Sequence, residues 1–126
     1  MKLRVARHTT NLEQIISFYH DLLGLDVLGN FEDHNGYNGV FLGLKNTGWH
    51  LEFTTSAHAP QHEPDDDDDL LVFYQHSTVD YEALQQKFEA HHIKTIPAKN
   101  PYWNANGCTY PDPDGYRIVI ALAGNY

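Results

Sequence analysis

The stretch TNLEQIISFYHDLLGL, residues 10–25, decides how the first half of the chain folds. Leu12, Ile15, Ile16, Tyr19, Leu22 and Leu23 recur at helical spacing, which predicts an amphipathic helix with one apolar face. Thr10-Asn11-Leu12-Glu13 has the form of a capping box, in which a hydroxyl and a carboxylate satisfy backbone N–H groups left over at a helix start. Gly24 stands where a helix stops, because glycine accepts the left-handed conformation cheaply. Ahead of this helix, residues 3–7 are short and β-capable. Behind it come three strands: residues 25–31, 37–44 and 49–54. Asn35-Gly36 is a hairpin signal of the type I′ kind, and Lys45-Asn46-Thr47-Gly48 forms the next turn. In the third strand His50, Glu52 and Thr54 alternate with Trp49, Leu51 and Phe53, placing the polar set on one face and the apolar set on the other.

The same order then begins again. Residues 70–74 form an apolar strand, and Ser77-Thr78-Val79-Asp80 caps a helix whose buried stripe includes Tyr81, Leu84 and Phe88. Residues 93–96 are expected as a short strand, 106–110 as another and 116–122 as a buried closing strand. Pro111-Asp112-Pro113-Asp114-Gly115 is a turn by composition. The expected organisation is a single 1–126 domain: module one over 1–56, an acidic linker over 57–69 and module two over 70–126. The linker holds Pro60, Pro64 and the aspartates 65–69 and almost nothing apolar, so it reads as a mobile, solvated segment. Two copies of a strand–helix–three-strand unit follow from this search for repeats.

The chain has 126 residues, 41% of them hydrophobic and 13% aromatic, which is the composition of one globular domain. No apolar run reaches the roughly 18–20 residues that span a bilayer, and the first residues lack the apolar core of a signal peptide. No membrane partner is expected. A lone Cys108 cannot form an internal disulfide, which fits a reducing, cytoplasmic setting. The formal charge of −9 repels phosphate backbones, so nucleic acid is not an expected partner. A small neutral or cationic molecule suits that charge better.

Phe18-Tyr19 with Leu23-Gly24-Leu25, and Asp112-Pro113-Asp114-Gly115-Tyr116 ahead of the last strand, resemble two marks of the glyoxalase, bleomycin-resistance and extradiol-dioxygenase proteins, the vicinal-oxygen-chelate superfamily. The resemblance spans nearly the whole chain. It implies an α+β fold of two tandem βαβββ modules whose strands form a curled mixed sheet around a cup, a small-molecule ligand or substrate, and a homodimer. It leaves the chemistry open between glyoxalase-like lyases or isomerases, dioxygenases and metal-free proteins that sequester drugs.

In metal-dependent members, side chains from four strands converge on one divalent cation. Glu52 falls where the last strand of the first module supplies a carboxylate. The other positions fall near Asp69 or Leu70, at Val119, and at or before Met1, so the expected ligand set is incomplete. The cofactor stays unassigned, with a divalent metal as one candidate and Glu52 as its ligand. Glu52 and His50 are the candidate catalytic pair, for acid–base work on one strand face. Glu52 reads equally as a carboxylate held by an arginine or tyrosine, and His50 as a strand histidine satisfied by its neighbours. Arg4, with Tyr74, Tyr102 and Trp103, is a candidate ligand-binding residue: Arg4 could pair with Glu52 or clamp an anionic group. Tyr102 and Trp103, in a polar-aromatic loop, either cover the core or stack on a planar or cationic ligand. Tyr37, Trp49 and Tyr110 are weaker aromatic companions. His58 and His62 have a helical ligand spacing that Pro60 contradicts. Cys108 reads as a buried, inert thiol.

Overall fold

The structure, a computed structural model, describes residues 1–61, 63–64 and 66–124. His62 of the spaced histidine pair and Asp65 of the acidic run lie outside the described residues. The chain divides into two compact units, Met1–His62 and Glu63–Tyr126.

The first unit runs β1 (Leu3–His8), α1 (Leu12–Ile16), a π-helical continuation of α1 (Ser17–Leu22), β2 (Asp26–His34), β3 (Tyr37–Gly43) and β4 (Trp49–Ser56). This is the expected β-α-β-β-β order. Its sheet is ordered β1-β4-β3-β2, with β1 parallel to β4 and the other pairs antiparallel. The helix starts one residue later than the capping box implies. Asn11, not Thr10, is the cap, its side chain accepting from the Gln14 amide at 3.1 Å. Thr9 accepts in turn from the Asn11 amide at 3.2 Å, so the chain is already turned before Thr10 could act. From Ser17 the helix widens, and the Leu23 amide reaches the Phe18 carbonyl at 2.9 Å, a five-residue step. Phe18, Tyr19 and Leu22 are all buried on this turn, which ends at Gly24 with φ +93°. Asn35 and Gly36 have φ of 53° and 84°, the pair of positive angles that a type I′ hairpin needs.

Strand register sorts the side chains of this unit. Leu3, Val5 and Arg7 align with Trp49, Leu51 and Phe53, while Arg4, Ala6 and His8 align with His50, Glu52 and Thr54. The first set faces the helix: Tyr19 and Phe53 have ring centroids 5.0 Å apart, and Arg7 donates to the Tyr19 hydroxyl at 3.3 Å. Ile15, Tyr19, Val40, Leu42, Leu51 and Phe53 make the core on that side, each at most 3% exposed, and burying such side chains contributes about 1.5–3 kcal/mol apiece. The second set lies on the opposite face.

The second unit runs β5 (Leu70–Gln75), α2 (Thr78–Ala90), α3 (Pro101–Asn106), β6 (Gly107–Pro111) and β7 (Arg117–Leu122). Its sheet is ordered β5-β7-β6, again mixed, with β5 parallel and β6 antiparallel to β7. Ser77 caps α2 as expected. Leu84 and Phe88 are buried, and Phe88 stacks on Tyr110 at 4.1 Å, which makes Tyr110 a core residue rather than a recognition group. Two expectations are corrected. Residues 93–96 are not a strand: only Ile96 bridges, to Thr109. The run is squeezed between His92, at φ 59°, and Pro97, which lacks an amide donor. Residues 101–106 are not a loop but a helical turn, with Asn100 as the cap accepting from the Tyr102 amide at 3.0 Å and Pro101 in the first turn.

The acidic run is not merely solvated either. Lys99 pairs with Asp66 at 3.5 Å and Asp68 at 3.7 Å, and Arg117 with Asp67 at 3.2 Å. Asp112 organises the turn before β7: its side chain accepts from the amides of Asp114 and Tyr116 at 2.9 and 3.0 Å.

Three substitutions test this packing. Asn11→Ala is expected to lower stability by about 1 kcal/mol, and Thr10→Ala by less than about 0.5 kcal/mol, in urea unfolding. A Cβ at Gly107 would lie 2.7 Å from a Val119 methyl and 2.9 Å from the Ile120 carbonyl oxygen. Gly107→Ala is therefore expected to cost about 1–3 kcal/mol, read as a lower thermal midpoint.

Candidate functional site

The face of the first sheet away from the helix carries three of the expected site residues together. Arg4 lies on β1 directly beside His50 on β4, and Glu52 is two residues further along β4, on the same face. The Arg4 guanidinium joins them. Its Nε donates to His50 Nε2 at 2.8 Å, and its Nη1 reaches Glu52 Oε2 at 3.4 Å.

Both contacts have chemical consequences. A permanently protonated guanidinium donates to Nε2, so that nitrogen carries a lone pair and the ring proton of His50 sits on Nδ1. His50 is only 8% exposed. Burial holds its pKa below the usual histidine value, helped by the positive charges of Arg4 and Lys2 and opposed by Glu52. His50 is thus a neutral acceptor. As placed, its Nε2 is engaged and cannot take a proton from a substrate without first releasing Arg4. Glu52 has a side chain 16% exposed, against 50% for Arg4.

An aromatic floor completes the arrangement. The Arg4 guanidinium carbon lies 4.8 Å from the Phe41 ring centre, and Phe41 meets His50 edge-on at 5.9 Å. Phe41 is opposite Glu52 in the β3–β4 register. Phe31, from β2, packs beside it at 5.7 Å and lies across Gly39, where a Cβ would stand 2.4 Å from the ring. Neither phenylalanine is distinguishable from core in the sequence; only the register places them on the polar face.

Arg4, His50 and Glu52, as the described residues place them, do not fit a metal centre. His50 spends its Nε2 lone pair on Arg4, and Glu52 already faces a cation. Among the described residues no group of three or more His, Cys, Asp or Glu side chains is placed to hold a metal ion. Val119, at the expected ligand position of the closing strand, is fully buried and apolar.

Tyr74, Tyr102 and Trp103 belong to the second unit. Tyr74, Ala121 and Gly107 align across that sheet, and Trp103 lies 3.5 Å from where a Gly107 Cβ would stand. Tyr102 is 42% exposed and meets Trp103 edge-on at 4.9 Å. Trp49 lies on the helix side of the first sheet and Tyr37 is an exposed residue at its hairpin. Cys108 is half-buried rather than sealed, and Gln85 donates to its sulfur at 2.9 Å with the Tyr81 hydroxyl at 3.5 Å. Burial and the neighbouring thiol push the Tyr81 hydroxyl well above its ordinary value, and Tyr110, chiefly through burial, to about 12. Both phenols stay protonated. No helix among the described residues is long and apolar enough to cross a membrane.

Comparison with known proteins agrees with this architecture. Residues 3–54 match the YycE-like N-terminal domain and residues 68–121 the YycE-like C-terminal domain. The chain is 42% identical over 122 residues to YycE of Bacillus subtilis, covering 94% of this chain and 86% of that protein. A crystal structure of a Bacillus subtilis YycE protein of unknown function superposes with a TM-score of 0.87 at 39% identity, covering 99% and 91% of the two chains. At lower identity the fold is shared with glyoxalase I of Leishmania major (TM-score 0.78, 21% identity, 97% and 86% covered). It is also shared with TnmS3, an antibiotic-binding protein of a Streptomyces species (TM-score 0.69, 17% identity, 97% and 94% covered). With two βαβ-type modules in the expected order and both domain models matched in sequence, the chain belongs to the YycE-like family of the vicinal-oxygen-chelate superfamily.

Proposed function

We propose that this protein binds a small molecule without a catalytic metal, on the face of its first sheet that carries Arg4. The observation that carries the reading is the guanidinium itself. The candidate catalytic pair, His50 and Glu52, of which Glu52 is also the candidate metal ligand, is turned onto Arg4. The positive charge at this position is therefore supplied by the chain. Glu52 serves as the counter-charge that orients Arg4, and His50 as the acceptor that fixes its Nε. The antibiotic-binding relative shares the fold, which makes sequestration a use compatible with this scaffold. A glyoxalase-like lyase or a dioxygenase with non-standard ligands is the second reading, kept by the adjacency of His50 and Glu52. Tyr74, Tyr102 and Trp103 are proposed as a separate aromatic contact surface of the second unit. A reducing, cytosolic setting is proposed with them, since Cys108 is the single cysteine of the sequence and forms no internal disulfide.

Elemental analysis of protein purified without chelator decides between the two readings. Substoichiometric metal is expected. One Ni²⁺, Mn²⁺, Zn²⁺ or Fe²⁺ per chain, lost in Glu52→Ala, would overturn the metal-independent reading.

The role of Arg4 has its own test in the ring NMR of His50. The ring should stay neutral, with the proton on Nδ1, at and somewhat below the ordinary histidine value of about 6.5. In Arg4→Met its pKa should rise toward the ordinary value of about 6.5 without reaching it, because burial remains. The sign for stability follows. A histidine whose folded pKa is depressed contributes stability that is intact above about pH 6.5 and is lost as pH falls through the folded value. Acid unfolding should begin at lower pH in His50→Gln than in the wild type.

The homodimer implied by the family is proposed on one observation. β1 ends its sheet, and Leu3 and Val5 on it are 60% and 40% exposed, an apolar edge of the kind that pairing covers. Light scattering should give twice the chain mass of 14.4 kDa. A monomer at all concentrations rejects it.

A further inference from the structure

Resting on the reading of this face as a binding surface, we propose that its ligand is a flat monoanion: a carboxylate on an aromatic or unsaturated frame, with its oxygens on Arg4 and its plane on Phe41 and Phe31. The sign comes from a local count. Lys2 and Arg4 act on His50 as positive charges and Glu52 as a negative one, and His50 itself is neutral. His8, further along the same face of β1 beside Thr54, is the remaining titratable group of the row. The cluster therefore carries about one net positive charge at neutral pH, which suits a monoanion better than a dianion crowded against Glu52.

The overall charge of −9 does not oppose this. Residues 1–62 hold four basic and six acidic side chains, a net of −2, whereas residues 63–126 hold four and eleven, a net of −7. The repulsion belongs to the second unit and to its aspartate run, several of whose members are already paired. A cationic ligand on the first sheet would instead meet Arg4 at close range, with Glu52 already engaged.

The oxygens have a fixed partner. Arg4 offers five N–H groups; Nε is given to His50 and one hydrogen of Nη1 to Glu52. Among the described residues Nη2 makes no hydrogen bond, and the side chain is half exposed. Two partners and the Phe41 ring hold the guanidinium in one orientation, so little side-chain entropy remains to be lost when an oxyanion binds. The flat frame follows from the neighbours. The β3 positions on this face are Gly39, Phe41 and Gly43, with Tyr37 at the exposed hairpin end, and Phe31 lies over Gly39. The face beside the charged fork is therefore ring surface, which receives planar groups edge-on or offset.

The test uses the whole protein labelled with ¹⁵N and titrated with benzoate, benzamide, benzylamine, acetate and inorganic phosphate. Benzoate should shift the Arg4 Nε–H resonance and the β1 and β4 amides, with an affinity about tenfold or more above benzamide, as expected for a charge-assisted fork. Acetate should bind more weakly than benzoate, and Phe41→Leu should narrow that difference. Arg4→Gln should abolish the benzoate response while the spectrum stays dispersed, and Arg4→Lys, which keeps charge but not the fork, should restore only part of it. Benzamide or benzylamine binding this face as well as benzoate overturns the carboxylate class and leaves the binding-protein reading standing. Phosphate outcompeting benzoate overturns the monoanion. If no probe perturbs the face, both the class and the underlying reading fail.

Discussion

The hydrogen bond from Arg4 Nε to His50 Nε2 is the interaction on which the rest of the site depends. At 2.8 Å it fixes the tautomer of the histidine and engages its lone pair, and it helps hold the guanidinium 4.8 Å from the Phe41 ring centre. Arg4 also meets Glu52, but an ion pair half open to water adds at most about 1 kcal/mol to stability. Its worth is positional. The guanidinium has one orientation because a neutral nitrogen and a carboxylate both claim it from the same strand.

That arrangement depends on backbone register rather than on the side chains alone. Because β1 and β4 run parallel, Arg4 stands beside His50, and the two-residue period of β4 brings Glu52 to the same face. A one-residue slip of β4 would send His50 and Glu52 into the helix-packed core, and a slip of β1 would send Arg4 there. Such a slip is prevented from the other side of the sheet. There Leu51 and Phe53 are buried against α1 and its π-helical turn. The hydrophobic face thus sets the geometry of the polar one.

Much of this was legible in the amino-acid order. The spacing of Leu12 to Leu23 marked the first helix, Asn35-Gly36 the hairpin, and the alternation of β4 the shared face of His50 and Glu52. Failures came where one backbone position outweighed composition. Asn11 took the cap from Thr10 because Thr9 had already turned the chain. Pro97 and the left-handed His92 reduced an apolar run to one bridge. Asn100-Pro101 made a helix from residues that look like loop. At the site, Glu52 and Arg4 were visible singly. Phe41 and Phe31 were not, because an aromatic on a strand reads as core until its partner across the ladder is known.

Chain-wide charge does not describe the polarity of one face. A formal −9 suits a neutral or cationic partner, yet the surplus is concentrated in the second unit. With a Debye length of about 8 Å at physiological ionic strength, exposed charges beyond that range are largely screened. What a ligand senses at contact is the nearest shell, and around His50 that shell is Arg4, Lys2 and Glu52. On the proposed reading, a fold whose metal-dependent members hold a cation keeps that polarity here with the cation built into the chain. The same step removes the open coordination positions that make a metal catalytic, and leaves a fork suited to holding a ligand.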